Sequence, residues 1–281
     1  MKKRIILSTI FVFLLATIGV LGATASSNTK KVDVMFLHDP HSHLNPFATV
    51  EDGKTQTLGG FAKIKTLINQ QKDENPNTLL LDAGDFSMGT LVQVVYEEEA
   101  SEIRMLGELG MDVAPLGNHE FDYKAKGLAN MLNTAVSSGE ELPSLVVCNV
   151  DWDAMEEKGL TEDQKLLEAA FENYDVEEYI VVEKGDVKIA ITGVFGKDSL
   201  DCVPNCPLVF ENPVEAVKDT VEEIQEEENV DMIVCVSHSG TWEEDDKSED
   251  EILAKSVPEL DLIISGHTHT KLDEPIVHGD T

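Results

Sequence analysis

Gly117-Asn118-His119-Glu120-Phe121-Asp122 is the stretch on which the reading of this chain turns. It follows Asp112–Leu116, a short apolar run that reads as a strand. A strand that ends on Gly-Asn and then offers an imidazole and two carboxylates places turn-forming and chemistry-bearing residues at one sheet edge. Four other segments repeat the arrangement. Val32–Leu37 runs into His38-Asp39-Pro40-His41, and Thr78–Leu81 into Asp82-Ala83-Gly84-Asp85. Met232–Val236 runs into Ser237-His238-Ser239-Gly240, and Leu260–Ile264 into Ser265-Gly266-His267-Thr268-His269. Singly, each is an ordinary polar turn. Together they carry weight, because the carboxyl ends of strands in an open α/β fold converge where such folds put their sites.

The segments between them have helical spacing. Gly59–Gln70 places Phe61, Ile64, Leu67 and Ile68 on one face. Glu97–Leu109 reads as one helix stopped by Gly110, and Gly127–Val136 as another. Leu145–Val150 reads as a strand. Asp151–Asp175 is polar and helical in pattern, with Thr161 and Gln164 forming a capping box, and reads as a surface insertion away from the site. Tyr179–Val182 and Val187–Val194 flank Lys184-Gly185-Asp186, a hairpin signal. Pro213–Glu228 and a short stretch around Ile252–Lys255 complete the helices. Strands alternating with helices give an α/β fold class, and the hairpin argues against a purely parallel sheet.

The 281 residues carry 54 acidic and 21 basic side chains, a net charge of −33. No nucleic-acid polymer is expected as a partner, since holding a phosphate backbone needs a basic face. The acidic runs read as solvated surface. Lys2, Lys3 and Arg4, the uncharged run Ile5–Gly22 and Ala23-Thr24-Ala25 form a secretory leader, giving residues 1–25 as signal peptide and 26–281 as the remaining domain. The alternative is an uncleaved anchor, the one route to a membrane contact. Secretion or cell-surface display follows in either case. Cys148 and Cys235 lie in apolar runs and read as core. Cys202 and Cys206 flank a Val-Pro-Asn loop where they could pair or stay free, and no cysteine has a partner at zinc-site spacing.

His41, His119, His238, His267 and His269 fall in the five strand-end segments, beside carboxylate and amide oxygens. Mixed imidazole and oxygen donors suit zinc, manganese or iron. Two divalent ions need about seven or eight ligand contacts with one shared bridge. Asp85, anionic and placed after a glycine, is the natural bridge. Asp39, His41 and one histidine of the His267/His269 pair complete one centre; Asn118, His238 and the other complete the second. His119 is left beside the metals with Asp122 to orient it, a pair suited to general-acid work. His38, His43 and His278 read as polar neighbours.

Asp-x-His, Gly-Asp, Gly-Asn-His-Glu, Ser-His and Gly-His-x-His, in that order, resemble the calcineurin-like metallophosphoesterase signature. Gly59-Gly60-Phe61-Ala62, Leu81-Asp82-Ala83-Gly84-Asp85, Gly117–Asp122 and Gly266-His267-Thr268-His269-Thr270 are similar to the catalytic domain of the exported 5′-nucleotidases. The resemblance implies a four-layer α/β/β/α sandwich with mixed sheets. It implies Asp39, His41, Asp85 and His269 on one metal, and Asp85, Asn118, His238 and His267 on the other. It makes His119 and Asp122 catalytic, with Asn118 and His119 touching substrate, and implies in-line attack of an activated water on a phosphomonoester. Cyclic nucleotides and sugar nucleotides are alternative substrates of such a site. Two departures stand out. Leu37-His38 leads straight into Asp39-Pro40, where the family usually has Thr-Asn. The chain also ends at Thr281, where family members continue through further strands into a C-terminal domain that holds the base and ribose. That leaves a non-catalytic, metal-binding remnant as the competing expectation.

Overall fold

A computed structural model describes residues 30–51 and 53–281; the leader expected over residues 1–25 lies outside them. The first half of the chain supplies β1 (Val34–Leu37), β2 (Phe47–Glu51), β3 (Lys54–Leu58), α1 (Phe61–Glu74), β4 (Leu79–Asp82), α2 (Tyr96–Glu99), α3 (Ser101–Leu109), β5 (Val113–Ala114), α4 (Lys124–Ser138), β6 (Ser144–Leu145), α5 (Trp152–Lys158) and α6 (Glu162–Tyr174). The second half supplies β7 (Tyr179–Lys184), β8 (Val187–Phe195), α7 (Lys197–Asp201), α8 (Pro213–Glu227), β9 (Met232–His238), α9 (Glu249–Ser256) and β10 (Leu262–Ser265).

Two sheets result. One has the order β1-β4-β5-β6 and is parallel throughout; the other, β10-β9-β8-β7, is mixed because the β7–β8 hairpin is antiparallel. The alternation of side chains along each strand divides the core. Leu79, Leu81, Val113 and Val146 of the first sheet meet Ile189, Ile191, Val234 and Val236 of the second in one cluster between the sheets. Leu80, Ala114 and Leu145 point the other way, into the helices of the first half. Ala190, Val194, Ile233 and Cys235 point outward onto α8 and α9. This is the period-two pattern of strands buried on both faces, and the layers run α/β/β/α. Each Leu or Val buried in this way contributes roughly 1.5–3 kcal/mol over its exposed state, so a slip of one residue in register is heavily penalised.

Three expectations change. Asp151–Asp175 is not a surface insertion. Leu167, Ala170, Phe171 and Tyr174 share one face of α6 and join the first-half core with Met155, because their spacing is that of a buried helical stripe. Glu97–Leu109 is not one helix. It breaks at the fully buried Ala100, whose φ is 47°, and the short α2 turns so that the Tyr96 hydroxyl donates to the Glu120 carbonyl at 3.0 Å. The strand expected over Leu145–Val150 shrinks to β6, beyond which Val146 and Val150 make only single bridges to Glu177 and Phe210. The β2–β3 hairpin was missed because its strands lack an apolar alternation, and β3 is exposed along its length. All four cysteines are free thiols, with Cys148 and Cys235 buried as expected. Residues Lys31–Thr281 form one compact unit. Among the described residues no helix is long and apolar enough to cross a membrane.

Candidate metal centre

β1, β4, β5, β9 and β10 all deliver their carboxyl ends to one edge, and the five segments meet there. The His38–Ser42 segment lies along the segment after β4: the backbone N–H groups of Asp39, His41 and Ser42 donate to the carbonyls of Gly84, Asp85 and Phe86 at 3.0–3.1 Å. Turning each donor inward distorts the chain. Asp39, His41, Asp85, His267 and His269 have φ of 48°, 44°, 53°, 72° and 53°, a region that non-glycine residues seldom adopt. Such conformations persist only where the surroundings enforce them, and they gather at functional sites. Two glycines allow the close approach. A Cβ on Gly84 would lie 2.7 Å from the His238 ring, and one on Gly117 2.3 Å from the Asp85 carboxylate.

The deeper group of donors centres on Asn118 and Asp85. His238, fully buried, gives its Nδ1 proton to the Ala83 carbonyl at 2.7 Å and turns Nε2 toward Asp85 Oδ2 and Asn118 Oδ1, both at 3.2 Å. His267 turns Nδ1 to Asn118 Oδ1 at 2.9 Å while its Nε2 meets Asp198 Oδ2 at 2.8 Å. Asp85, His238 and His267 thus bring three donor atoms within 4.8 Å of one another. Burial alone would lower the His238 pKa, but the hydrogen bond and charge of Asp85 outweigh it and push the ring up to about 9. The negative surroundings that favour the charged ring would equally favour a cation.

The outer group is Asp39, His41 and His269, again within 4.8 Å. His41 Nδ1 donates to the Met88 carbonyl at 3.0 Å, which leaves the Nε2 lone pair facing His269 Nε2 only 2.9 Å away. Two imidazole nitrogens at that distance need a proton or a cation between them. His41 Nε2 is also 4.0 Å from Asp85 Oδ2, so this carboxylate lies within reach of both groups. The His267 N–H donates to Asp39 Oδ1 at 3.1 Å and ties the groups together. The donor set therefore fits divalent ions: each tied ring has one nitrogen fixed on a protein oxygen and its other nitrogen aimed at a common centre.

His119 stands at the rim. Its N–H donates to Asp85 Oδ1 at 2.8 Å, its Nδ1 meets Asp122 Oδ2 at 2.8 Å, and its ring lies 5.1 Å from that of His41. Burial opposes protonation, yet the Asp122 bond and the charges of Asp85 and Asp122 raise its pKa. The expected donors and the expected dyad are thus all brought to one place. His38 bonds Oδ2 of its neighbour Asp39 at 2.9 Å; His43 and His278 bond Pro40 and Glu251 instead.

Three supporting carboxylates were not singled out in the sequence. Buried Glu120 accepts from the N–H groups of Asp85, Ser87 and Gly117 and from the Ser87 hydroxyl, clamping the β4 and β5 segments together. Its place within Gly-Asn-His-Glu was the available signal. Burial first, then the Asp85 charge, raise its pKa to about 7. Buried Asp250 accepts from the Ser237 and Ser265 hydroxyls and the Gly240 N–H, joining the ends of β9 and β10. Asp198 reaches His267 from α7, and nothing in the local sequence marks it.

Residues 33–271 match the family model for calcineurin-like phosphoesterases. The chain belongs to the calcineurin-like phosphoesterase family. Within this family, which is metal-dependent, it is similar to the trifunctional nucleotide phosphoesterase of Bacillus subtilis, 29% identical over 253 residues that make up 86% of this chain and 16% of that protein. It is similar to the 5′-nucleotidase of Rattus norvegicus, 29% identical over 266 residues, 92% of this chain and 41% of the relative. Among solved structures, the 5′-nucleotidase precursor of Thermus thermophilus superposes with a TM-score of 0.69 at 28% identity, covering 84% of this chain and 41% of that one. The calcineurin-like phosphoesterase described here spans less than half the length of these relatives.

Proposed function

We propose that this chain is an exported phosphoester hydrolase of the 5′-nucleotidase type, working through two divalent ions. The observation that carries the reading is the donor geometry around Asp85. One carboxylate lies between two groups of imidazole and oxygen donors, with His119 held beside it. Asp39, His41 and His269 would hold one ion, Asn118, His238 and His267 the other, with Asp85 shared. Zinc, manganese and iron all suit these donors. When bound, such ions supply positive charge for the phosphoryl oxygens and acidify the attacking water.

The remaining work falls to the chain's own groups. Asp122 fixes the His119 ring through Nδ1. With Nδ1–H on Asp122, a second proton on Nε2 belongs to the imidazolium, and it is this proton that can pass to the departing ester oxygen, leaving the ring neutral. Burial opposes the charged ring, but the Asp122 bond and the charges of Asp85 and Asp122 shift the balance toward it, which favours a proton donor here. Asn118, from within the deep group, and His119, at the rim, are the substrate contacts. Nucleotide phosphoesters are the proposed substrate class, supported by the names of the relatives from Bacillus and Rattus. Export rests on the leader pattern of residues 2–25.

The test uses the whole chain loaded with Mn²⁺ or Zn²⁺ and a generic aryl phosphate. His119→Ala is expected to lower kcat by roughly 10²–10⁴-fold, the usual span of a general acid, with little change in bound metal. Folded, metal-loaded wild type no faster than this variant would rule out the enzyme.

A further inference from the structure

His267 has two faces. Its Nδ1 turns inward to Asn118, and its Nε2 turns outward to Asp198, 2.8 Å away. The outward side holds one more donor. Asp198 and Cys202 are four residues apart across the single turn of α7, and the Cys202 N–H closes that turn on the Asp198 carbonyl at 3.2 Å. Residues at that spacing share a helix face. Donor atoms of Asp198, Cys202 and His267 all lie within 4.8 Å of one another. Donors on one zinc ion, with bonds of 2.0–2.3 Å, stand roughly 3.5 Å apart, so a small side-chain movement closes the set. The position is accessible: Cys202 is exposed, and the Asp198 side chain is 45% exposed. α7 is also anchored, since Glu249 accepts the N–H groups of Lys197 and Asp198 at 2.8 and 2.9 Å.

From these observations we infer that Asp198, Cys202 and His267 form an outer site for a thiophilic divalent cation, and that filling it withdraws His267 from the inner centre. The inner role of His267 is the one proposed above, and the withdrawal rests on it; the outer site does not. A neutral imidazole has one lone pair. With Asp198 accepting from Nε2–H, the lone pair is on Nδ1 and faces inward. A cation on Cys202 and Asp198 takes the Nε2 lone pair instead. The ring proton then moves to Nδ1 and points at Asn118 Oδ1, and the thiol proton leaves to solvent. A neutral ring, with its single lone pair, cannot serve both sides, so excess metal inhibits. Cys202 does not have the surroundings of a reactive nucleophile. The carboxylates of Asp198, Asp85 and Asp201 near Cys202 make its surroundings negative, which attracts a cation.

The experiment is a Cd²⁺ titration of the reduced full chain in a Cys206→Ser background, read by thiolate-to-cadmium absorption in the ultraviolet. Of the other thiols, Cys148 and Cys235 are buried. The expected result is an absorption that saturates at the amplitude of one cadmium-bound thiolate per chain, disappears in Cys202→Ser and needs roughly 10–100-fold more Cd²⁺ in Asp198→Ala. It persists in Asp85→Asn, which disables the inner centre, so failure of the inner reading leaves this readout intact. Absence of the absorption at saturating Cd²⁺, or its survival in Cys202→Ser, overturns the outer site. Inhibition of aryl phosphate hydrolysis by excess Zn²⁺ is expected to need roughly tenfold more metal in Cys202→Ser. Equal inhibition of both proteins overturns the withdrawal of His267.

Discussion

Around Asn118 the donors are sunk into the fold, whereas around His269 they stand at its rim. The His238 side chain is fully buried and that of His267 is 9% exposed; the His41 side chain is 15% exposed and that of His269 59%. The deep group is braced by the Ala83 carbonyl, by Asp198, and by the Asp250 network that joins β9 to β10. The outer group depends on one loop from β1 and on the last turn after β10. Burial and bracing cost stability without a cation and return affinity with one. The deep group is therefore expected to hold a cation more firmly than the outer group.

Asp85 is the carboxylate within reach of both groups, so its loss is the largest effect expected. Asp85→Asn removes the shared charge while keeping the shape, and both ions should bind more weakly by equilibrium dialysis, with hydrolysis falling to the background rate. Loss of a single ion would break the comparison at its root. Next come the paired variants His238→Ala and His269→Ala. The first leaves the Ala83 carbonyl and Asp85 buried without their partner, and should cost about 3 kcal/mol of apo-protein stability in urea. The second should change stability by less than about 0.5 kcal/mol, as exposed substitutions do. Both should lower the bound metal by one ion. Equal stability losses would mean that the two groups are built alike.

A smaller effect concerns the bracing of the deep group. Burial raises the pKa of Asp250 to about 6, against an ordinary 3.8. Between those values the folded state holds a proton that the unfolded chain has released. The contribution of Asp250 to stability is therefore fully present at the acid end and is lost as pH rises through about 6. Asp250→Asn cannot titrate, so the difference in stability between wild type and variant should change across this window and stay constant above it. A constant difference at every pH would show that Asp250 does not titrate in the fold.

The deep and outer groups were also legible to different degrees. Strand-end spacing brought both to one edge, because a short apolar run followed by Gly, Asn, Asp or His reads the same in sequence and in space. Division of His267 from His269 needed the family resemblance. The local pattern Gly-His-Thr-His does not say which ring turns inward, and that direction is set by Asp198, 69 residues away. Asp198 and Asp250 were invisible for the same reason: each acts through a contact that no local pattern encodes. Glu120 was in plain view inside Gly117–Asp122, yet its work is on the backbones of Asp85 and Ser87. The break at Ala100 and the burial of α6 were missed because tertiary packing overrode a local pattern that allowed either outcome.

The central claim is that Asp85 joins a deep and an outer cation site into one two-metal centre. Anomalous diffraction from crystals of the Mn²⁺-loaded chain, collected at the manganese absorption edge, tests it most directly. Two peaks are predicted, both within coordination distance of Asp85, one against Asn118, His238 and His267 and one against Asp39, His41 and His269, with the deep peak at higher occupancy when metal is limiting. A single peak in the cleft, or two peaks with Asp85 touching only one, would contradict it.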